Sequence, residues 1–246
     1  MKNEQEQNNI AKVAGIVFTE PRMAFEKDGE RFYELILEVK RLSDQRDYLP
    51  ITISERILDV SNKIHRGDEV GFLGEFRSYN KQENDRSKLI LNVFAKEVFL
   101  GDLVEELGES NFVELTGFVC KTPVYRTTPF NREICDVLLA VNRKNFKSDY
   151  IPCIFWGRNA RFMENQSVGC KVNIKGRIQS RIYLKKLPDG TSQERTAYEI
   201  SVSELKICDI DDQSSAKTDD YKEYFQQNAT EYDNAPKYNI GNVIEK

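Results

Sequence analysis

Residues 148–183, SDYIPCIFWGRNARFMENQSVGCKVNIKGRIQSRIY, hold the clearest alternation in this sequence of 246 residues. From Lys171 to Tyr183, polar or aromatic residues alternate with mainly aliphatic ones. A period of two predicts a β-strand with one face toward a core. The other face carries four cations, no acid and one ring, in the set Lys171, Asn173, Lys175, Arg177, Gln179, Arg181 and Tyr183.

The segment upstream of this strand alternates in the same way. It places Tyr150 and Trp156 on one side and Ile151, Cys153 and Phe155 on the side toward a core. A single nucleic-acid strand offers phosphates to Lys and Arg, and unstacked bases to aromatic rings, so such a sheet suits it. The alternative is an ordinary solvated face of an antiparallel sheet. Mixed charges are usual on a solvated face, and the absence of acids here favours nucleic acid.

The chain contains an internal repeat. Residues 9–104 match residues 111–206 at a constant offset of 102, without a gap. The matched pairs include Asn9 and Asn111, Gly15 and Gly117, Pro21 and Pro123, Asp47 and Asp149, Tyr48 and Tyr150, Gly74 and Gly176, and Ser78 and Ser180. Such a period predicts a tandem duplication of one fold.

Each copy is predicted to contain five strands and one short helix. In the first copy the strands lie near residues 10–18, 31–41, 48–53, 69–78 and 88–99. Between the third and fourth strands, SERILDVSNKIH has Ser54 as a helix N-cap and Ile57, Val60 and Ile64 at helical spacing. This order predicts an all-β chain of two tandem OB-fold, five-stranded Greek-key barrels. The pattern also leaves a β-sandwich with the same number of strands open.

These elements divide the chain into five segments. We expect a flexible N-terminus at 1–8, an OB-fold at 9–104, a linker at 105–110, a second OB-fold at 111–207, and an acidic disordered tail at 208–246. The formal charge of the whole chain is −4, yet residues 109–206 hold sixteen Lys and Arg against ten Asp and Glu, or +6. The second barrel is therefore the basic part of an acidic chain.

Several classes of protein are excluded by residue type. The five cysteines form no CxxC pair, and His65 is the only histidine, so we expect no metal site and reduced thiols. The sequence contains no apolar run of membrane-spanning length and no signal peptide, which predicts a soluble cytoplasmic protein. It contains no phosphate-binding loop, HExxH or nucleophile motif, so we expect neither an enzyme nor a cofactor.

The second copy resembles the bacterial single-stranded DNA-binding protein family. The similar residues are Asp149 and Tyr150, then IPCIFWG and RNAR, then Gly169, KVNIKGRIQSRIY and a Thr-Ala-Tyr-Glu-Ile strand. In that family, aromatic side chains stack the bases. The resemblance implies that Phe146, Tyr150, Trp156 and Tyr183 do so here. In the first copy only Tyr48 keeps an aromatic at these positions, although Arg77 and Tyr79 form a smaller spot for a base or an ion pair.

Other candidate residues each have a structural alternative. Trp156, taken alone, could belong to a core. Tyr125 and Arg126 lie in a Pro-rich loop between the first two strands, and Lys185 and Lys186 lie between the last two. Both are loops that either bind nucleic acid or simply connect strands. Finally, Arg143 and Arg158 recur as Arg41 and Arg56, so they serve either a structural bond or phosphate contact.

The sequence thus predicts a largely sequence-independent binder of single-stranded DNA that protects exposed strands in replication, recombination or repair. The resemblance further implies a homodimer, because family members usually assemble four OB-folds. The tail lacks the family's apolar, proline-containing tip, which leaves recruitment of replication or repair proteins open. The rival hypothesis is a primosome-type or phage replication adaptor whose barrels mainly bind proteins.

Overall fold

The computed structural model describes residues 7–61, 64–83, 86–145, 147–186 and 190–208. The first copy contains six strands and one helix: β1 Asn9–Val17, β2 Arg22–Lys27, β3 Glu30–Lys40, β4 Arg46–Ser54, α1 Glu55–Ser61, β5 Glu69–Glu83 and β6 Arg86–Leu100. A 3₁₀ helix at Gly101–Leu107 leads to the second copy. There the elements are β7 Asn111–Val119, β8 Val124–Thr127, β9 Glu133–Asn142, β10 Ser148–Trp156, α2 Gly157–Glu164, β11 Lys171–Lys186 and β12 Ser192–Ile207.

Each copy closes into a five-stranded barrel, as predicted. The strand order is β3-β4-β6-β5-β1, and a further β1–β3 pairing completes the circle. The second barrel repeats this order with β9, β10, β12, β11 and β7. One pairing in each barrel is parallel, β4 with β6 and β10 with β12, and the others within the barrels are antiparallel. The tandem OB-fold prediction is confirmed.

Two short strands extend the barrels beyond the predicted five. β2 and β8 pair with the edges of β3 and β9. All six residues of β2 are exposed, so this strand has no alternation of apolar and polar burial that a sequence pattern could reveal. The structure also shows that Ser54 caps α1, because its Oγ accepts the backbone N–H of Arg56 at 3.1 Å.

A glycine in each barrel permits a sharp bend in a long strand. The β11–β12 register shifts at Gly176, and the β5–β6 register shifts at its counterpart Gly74. A Cβ at Gly176 would lie 2.3 Å from the carbonyl oxygen of Ser201, which is far inside van der Waals contact. The bends at these two glycines therefore have a steric cause.

The two barrels share one continuous sheet. β1 pairs antiparallel with β7, and the central pair, Ala11 with Val113, joins two equivalent positions of the repeat. The N–H of Ala14 donates to the carbonyl of Ser110 at 2.9 Å, and the N–H of Thr116 donates to the carbonyl of Asn8 at 2.8 Å. These bonds are related by the same offset, so a pseudo-two-fold axis passes through the junction. Asn8, expected in the flexible N-terminus, already contacts the second barrel.

A pair of equivalent clamps reinforces this junction. In one, the buried carboxylate of Asp47 receives Nε and Nη2 of Arg41, each at 2.7 Å, and the backbone N–H of Ser180 at 2.6 Å. In the other, Asp149 receives Nε of Arg143 at 2.7 Å, a second nitrogen of the same guanidinium, and the N–H of Ser78 at 2.6 Å. Each barrel therefore holds the long hairpin of the other.

Candidate nucleic-acid interface

The open face of the second barrel is the side of its sheet that points away from the core. Along β10, Ile151, Cys153 and Phe155 are buried in the main core. The alternate residues Tyr150, Pro152, Ile154 and Trp156 therefore form an apolar row on the open face, in which Trp156 is partly exposed and the other three are buried. The predicted orientation of Tyr150 and Trp156, opposite to Phe155, agrees with this alternation.

Tyr150 is far less accessible than the sequence suggested. Only 8% of it is exposed, because it packs with Cys120, Ala140 and Leu138 in a small cluster separate from the main core. Its backbone N–H also donates to Oγ of Ser78 in the first barrel at 2.7 Å. The expectation of a freely exposed ring at Tyr150 is therefore wrong in this conformation.

Trp156 is half-buried at the end of the apolar row. Its Nε1 donates a 3.0 Å hydrogen bond to Oγ of Ser201. Ser201 pairs directly with Arg177 across the β11–β12 ladder, so these three side chains lie side by side on the open face. The sequence pattern did not single out Ser201, although it has the same parity in β12 as Glu199.

Arg177 lies where the open face meets the first barrel. Its Nη1 is 3.6 Å from Oδ2 of Asp47, and its Nη2 donates to Gln179 at 3.2 Å. Burial, followed by the nearby charge of Arg41, lowers the pKa of Arg177, whereas Asp47 raises it. The Nη1 atom is buried and has no hydrogen-bond partner among the described residues.

Two other cations of β11, Lys175 and Arg181, lie beside carboxylates. Lys175 lies 3.5 Å from Glu204, and both side chains are substantially exposed. Nε of Arg181 lies 3.7 Å from Oε1 of Glu199, which also accepts Nε2 of Gln179 at 2.6 Å. Burial raises the pKa of Glu199, of which 1% is exposed. The cations of β11 thus have acids beside them that the alternation within β11 did not reveal, because Glu199 and Glu204 lie on the neighbouring strand β12.

The β11–β12 hairpin extends past the barrel. Tyr183 pairs with Arg195, and the guanidinium carbon of Arg181 is 5.9 Å from the centroid of the Tyr183 ring. Ile182, which alternation placed toward the core, is 62% exposed, so this end of the hairpin does not cover the core. Arg195 adds a cation that sequence reasoning missed. The sequence could have identified it, because Arg195 alternates in register with Ala197 and Glu199 and so lies on the same face of β12.

Tyr125 and Arg126 lie on β8, which borders the open face on the opposite side. Arg126 faces the open side, whereas Tyr125 packs against the main core. Arg126 makes two hydrogen bonds to Asp136, at 2.6 and 3.0 Å, and Asp136 pairs with Ile154. The hydroxyl of Tyr125 donates to Glu133 at 2.7 Å. Arginines therefore flank the apolar row of β10 on both sides, Arg126 on one and Arg177 and Arg181 on the other.

The other candidates of the second barrel are dispersed. Arg158 is exposed on α2, and Lys185 and Lys186 end β11. Phe146 lies outside the described residues. Arg143 belongs to the clamp, where its Nη2 also donates to the carbonyl of Ser78 at 2.9 Å. Of the two alternatives for Arg143, the structure favours the structural bond. Burial between the barrels leaves it poorly placed for phosphate.

The weaker candidates of the first barrel are partly paired as well. Arg77 donates to Glu75 at 2.9 Å, and its guanidinium lies 3.8 Å from the centroid of the Phe94 ring. Tyr79 is 41% exposed, and burial followed by Glu34 raises its pKa. Tyr48 is 37% exposed beside Phe18. The ion pair is therefore the better interpretation of Arg77.

Within the part of the chain that the structure describes, no group of three or more acidic, His or Cys residues is placed to hold a metal ion. Over the same ranges, no helix is long and apolar enough to cross a membrane. What the open face offers instead is an apolar row with one accessible indole, arginines on both borders, and hydroxyl groups between them. Such a surface can stack a planar ring on the indole and bring an anionic group close to a guanidinium.

The second barrel matches a known family. Residues 110–208 fit the model of the "Single-strand binding protein family". Single-stranded DNA-binding protein 3 of Streptococcus agalactiae serotype V is 38% identical over 81 residues, which are 30% of this chain and 58% of the relative. Single-stranded DNA-binding protein 1 of Staphylococcus aureus is 38% identical over 80 residues, which are 30% of this chain and 48% of the relative. The chain thus spans about half the length of the curated relatives it matches.

The fold of both barrels together also has a structural counterpart. The wild-type single-stranded DNA binding protein from Thermus aquaticus superposes with a TM-score of 0.62 at 18% identity, over 82% of this chain and 93% of that one. A deletion variant of the same protein gives a TM-score of 0.64 at 17% identity, and the superposition covers 82% of this chain and 95% of the variant. At this level of identity the likeness concerns the tandem arrangement of the two OB-folds alone.

Proposed function

Because its second barrel fits the model of the single-strand binding protein family, we propose that this chain binds single-stranded DNA, largely without sequence preference, on the open face of that barrel. The observation that carries the proposal is the continuous group of Trp156, Ser201 and Arg177. It places a stacking ring beside a guanidinium on one surface. A base on the indole would leave its phosphate within reach of a cation.

The strand would follow β11, with Lys171 and Lys175 at one end and Arg181 and Tyr183 at the other. Stacking contributes about 1–3 kcal/mol per base, and the cations add counterion release. For about four phosphates the salt slope would be roughly −3, since each contact on a single strand contributes roughly −0.7. Ion pairs that persist in the complex would make the slope shallower. The carboxylates of Asp47, Glu199 and Glu204 are the competitors of the phosphates.

Fluorescence of Trp156, the only tryptophan, tests the proposal directly. Addition of oligo-dT should quench the indole emission, and raising the salt concentration should reverse the quenching. Phe162→Ala, which removes an exposed ring of α2, is the matched control and should titrate like the wild type. Unchanged emission at low salt would contradict the proposal and would favour a protein-binding adaptor.

The biological setting follows from the same surface. A binder that reads backbone and rings, rather than base edges, suits the protection of exposed strands in replication, recombination or repair. We place it in the cytoplasm, with replication or repair proteins as further partners. Two barrels per chain would give four per homodimer. Light scattering with and without DNA measures this assembly, and a monomer in both conditions would contradict it.

A further inference from the structure

We propose that Phe18, Tyr48 and Arg66 of the first barrel form a second base-stacking site, continuous with the open face of the second barrel. The ligand would be the next nucleotides of the same DNA strand. This inference rests on the proposed function. It gives the first barrel a role in DNA binding, although only one of the four predicted aromatic positions of the second barrel is aromatic in the first.

The rings of this site are accessible and already arranged as a pair. Phe18 is 43% exposed and Tyr48 is 37% exposed. Their centroids are 4.9 Å apart with an interplanar angle of 64°, an edge contact. The guanidinium carbon of Arg66 lies 5.8 Å from the centroid of Phe18. A base could stack on either ring, and Arg66 would lie beside it to contact the phosphate.

The second barrel does not repeat this arrangement at the matching positions. The repeat offset of 102 takes Phe18 to Cys120, Tyr48 to Tyr150 and Arg66 to Val168. In the second barrel the first two of these residues pack together and are each 8% exposed. The first barrel thus exposes two rings and a cation where its counterpart buries one ring and a thiol. The two barrels offer different, complementary parts of one surface.

The site adjoins the strand that carries the second barrel's cations. The backbone N–H of Tyr48 donates to Oγ of Ser180 at 3.2 Å. Ser180 lies between Gln179 and Arg181 in β11, and Tyr183 follows. A strand that passes Arg181 therefore needs to cross only this junction to reach Tyr48 and then Phe18. The clamp between Asp47 and Ser180 fixes the position of the crossing.

Local charge is compatible with a polyanion. Glu38 is the acid beside Tyr48, and it already accepts Nη1 of Arg46 at 2.5 Å and the Tyr48 hydroxyl. Glu20 accepts the backbone N–H of Arg66 at 2.9 Å and lies 3.5 Å from His65. Glu38 thus has a cationic neighbour, which reduces its repulsion of phosphate, and Glu20 is engaged by a backbone N–H.

Oligonucleotides of two lengths, titrated against the full chain, test this inference. A dT oligomer of about 8 nucleotides fits one OB-fold, whereas one of about 30 can span both barrels. Phe18→Ala and Tyr48→Ala should each lower the affinity for the longer oligomer by roughly tenfold, which is within the range for one stacked base. The affinity of the second barrel for the shorter oligomer should not change. Tyr48→Phe keeps the ring and should bind both like the wild type, and so should the control Phe162→Ala.

The outcomes separate the two proposals. If the wild type binds DNA and the variants bind both lengths normally, the second site does not exist, while the proposed function stands. Equal weakening of both lengths would also refute it, because it would indicate a general effect on the fold. If the wild type binds neither oligomer, the proposed function fails and this inference fails with it. Circular dichroism melting of each variant confirms that the barrels remain folded.

Discussion

The carboxylate of Asp47 in the first barrel accepts the backbone N–H of Ser180 in the second at 2.6 Å. Its equivalent, Asp149, accepts the backbone N–H of Ser78 at the same distance. Both acids are fully buried, and each also holds an arginine of its own barrel. Two residues that are 133 positions apart in the chain therefore fix the orientation of one barrel against the other.

Asp47→Asn should destabilise the folded chain by about 3 kcal/mol, because removing one member of a buried ion pair leaves Arg41 uncompensated. Urea unfolding followed by circular dichroism measures the loss as a lower midpoint. Asp149→Asn should cost a similar amount, because its contacts are equivalent. Glu69→Gln, at an exposed acid of β5, is the control and should change the midpoint little. A loss below about 0.5 kcal/mol for Asp47→Asn would show that the clamp contributes little.

Much of the fold could be predicted because its causes are local. Alternation along Lys171–Tyr183 reflects a sheet with one buried face, and the matched glycines at 74 and 176 mark bends where a Cβ would clash. Because the two copies are related by the repeat, each prediction about the fold of one barrel also holds for the other. β2 was missed because its six exposed residues carry no alternation.

The site was less predictable because its details depend on distant partners. Tyr150 has the correct parity, yet its burial depends on Cys120 and Ala140, which come from other parts of the barrel. The sequence is compatible with either phosphate contact or a structural bond at Arg143, and the deciding partner, Ser78, lies 65 residues away in the chain. Of the acids beside the cations of β11, Glu199 and Glu204 belong to β12 and Asp47 belongs to the first barrel. A pattern within one strand cannot reveal which strand pairs with it.

Glu204→Gln should strengthen binding of single-stranded DNA, because Lys175 would lose its competing partner at 3.5 Å. Both side chains are substantially exposed, so we expect a gain of roughly two- to fivefold at low salt, within the range for surface ion pairs. The titration of Trp156 fluorescence measures it. Glu109→Gln removes the same charge from the exposed end of the linker, and it controls for the general change in net charge. An equal gain in DNA affinity for both variants would show that the effect comes from net charge and not from freeing Lys175.

The thiols should divide into two classes. Cys120, Cys135 and Cys153 are buried, and burial raises the pKa of Cys120 to about 12 and that of Cys135 to about 11. At pH 8 these thiols stay protonated in the folded chain, and a thiol reagent should label Cys170 and Cys208 first.

The five thiols should react together only after denaturation. Counting the modified cysteines by mass spectrometry distinguishes the classes. Rapid native labelling of Cys153, whose pKa burial raises strongly, would show that the second barrel opens readily.

Glu199 should make the stability of the chain depend on pH. Burial raises the pKa of this carboxyl, and Arg181 and Gln179 only partly offset that effect. An acid whose folded pKa lies above its unfolded value binds its proton more tightly when folded, so its contribution to stability grows as pH falls through the folded pKa. Above that pKa, the folded chain carries the full cost of a buried charge.

Glu199→Gln removes this titration and keeps the shape of the side chain. The free energy of unfolding of the variant, relative to wild type, should therefore be most favourable near pH 8 and should decline toward pH 4.5, the ordinary value for Glu. Urea unfolding at a series of pH values gives this difference, and Glu109→Gln serves as the control at an exposed acid. A difference that grows as pH falls would mean that Arg181, rather than burial, dominates the site.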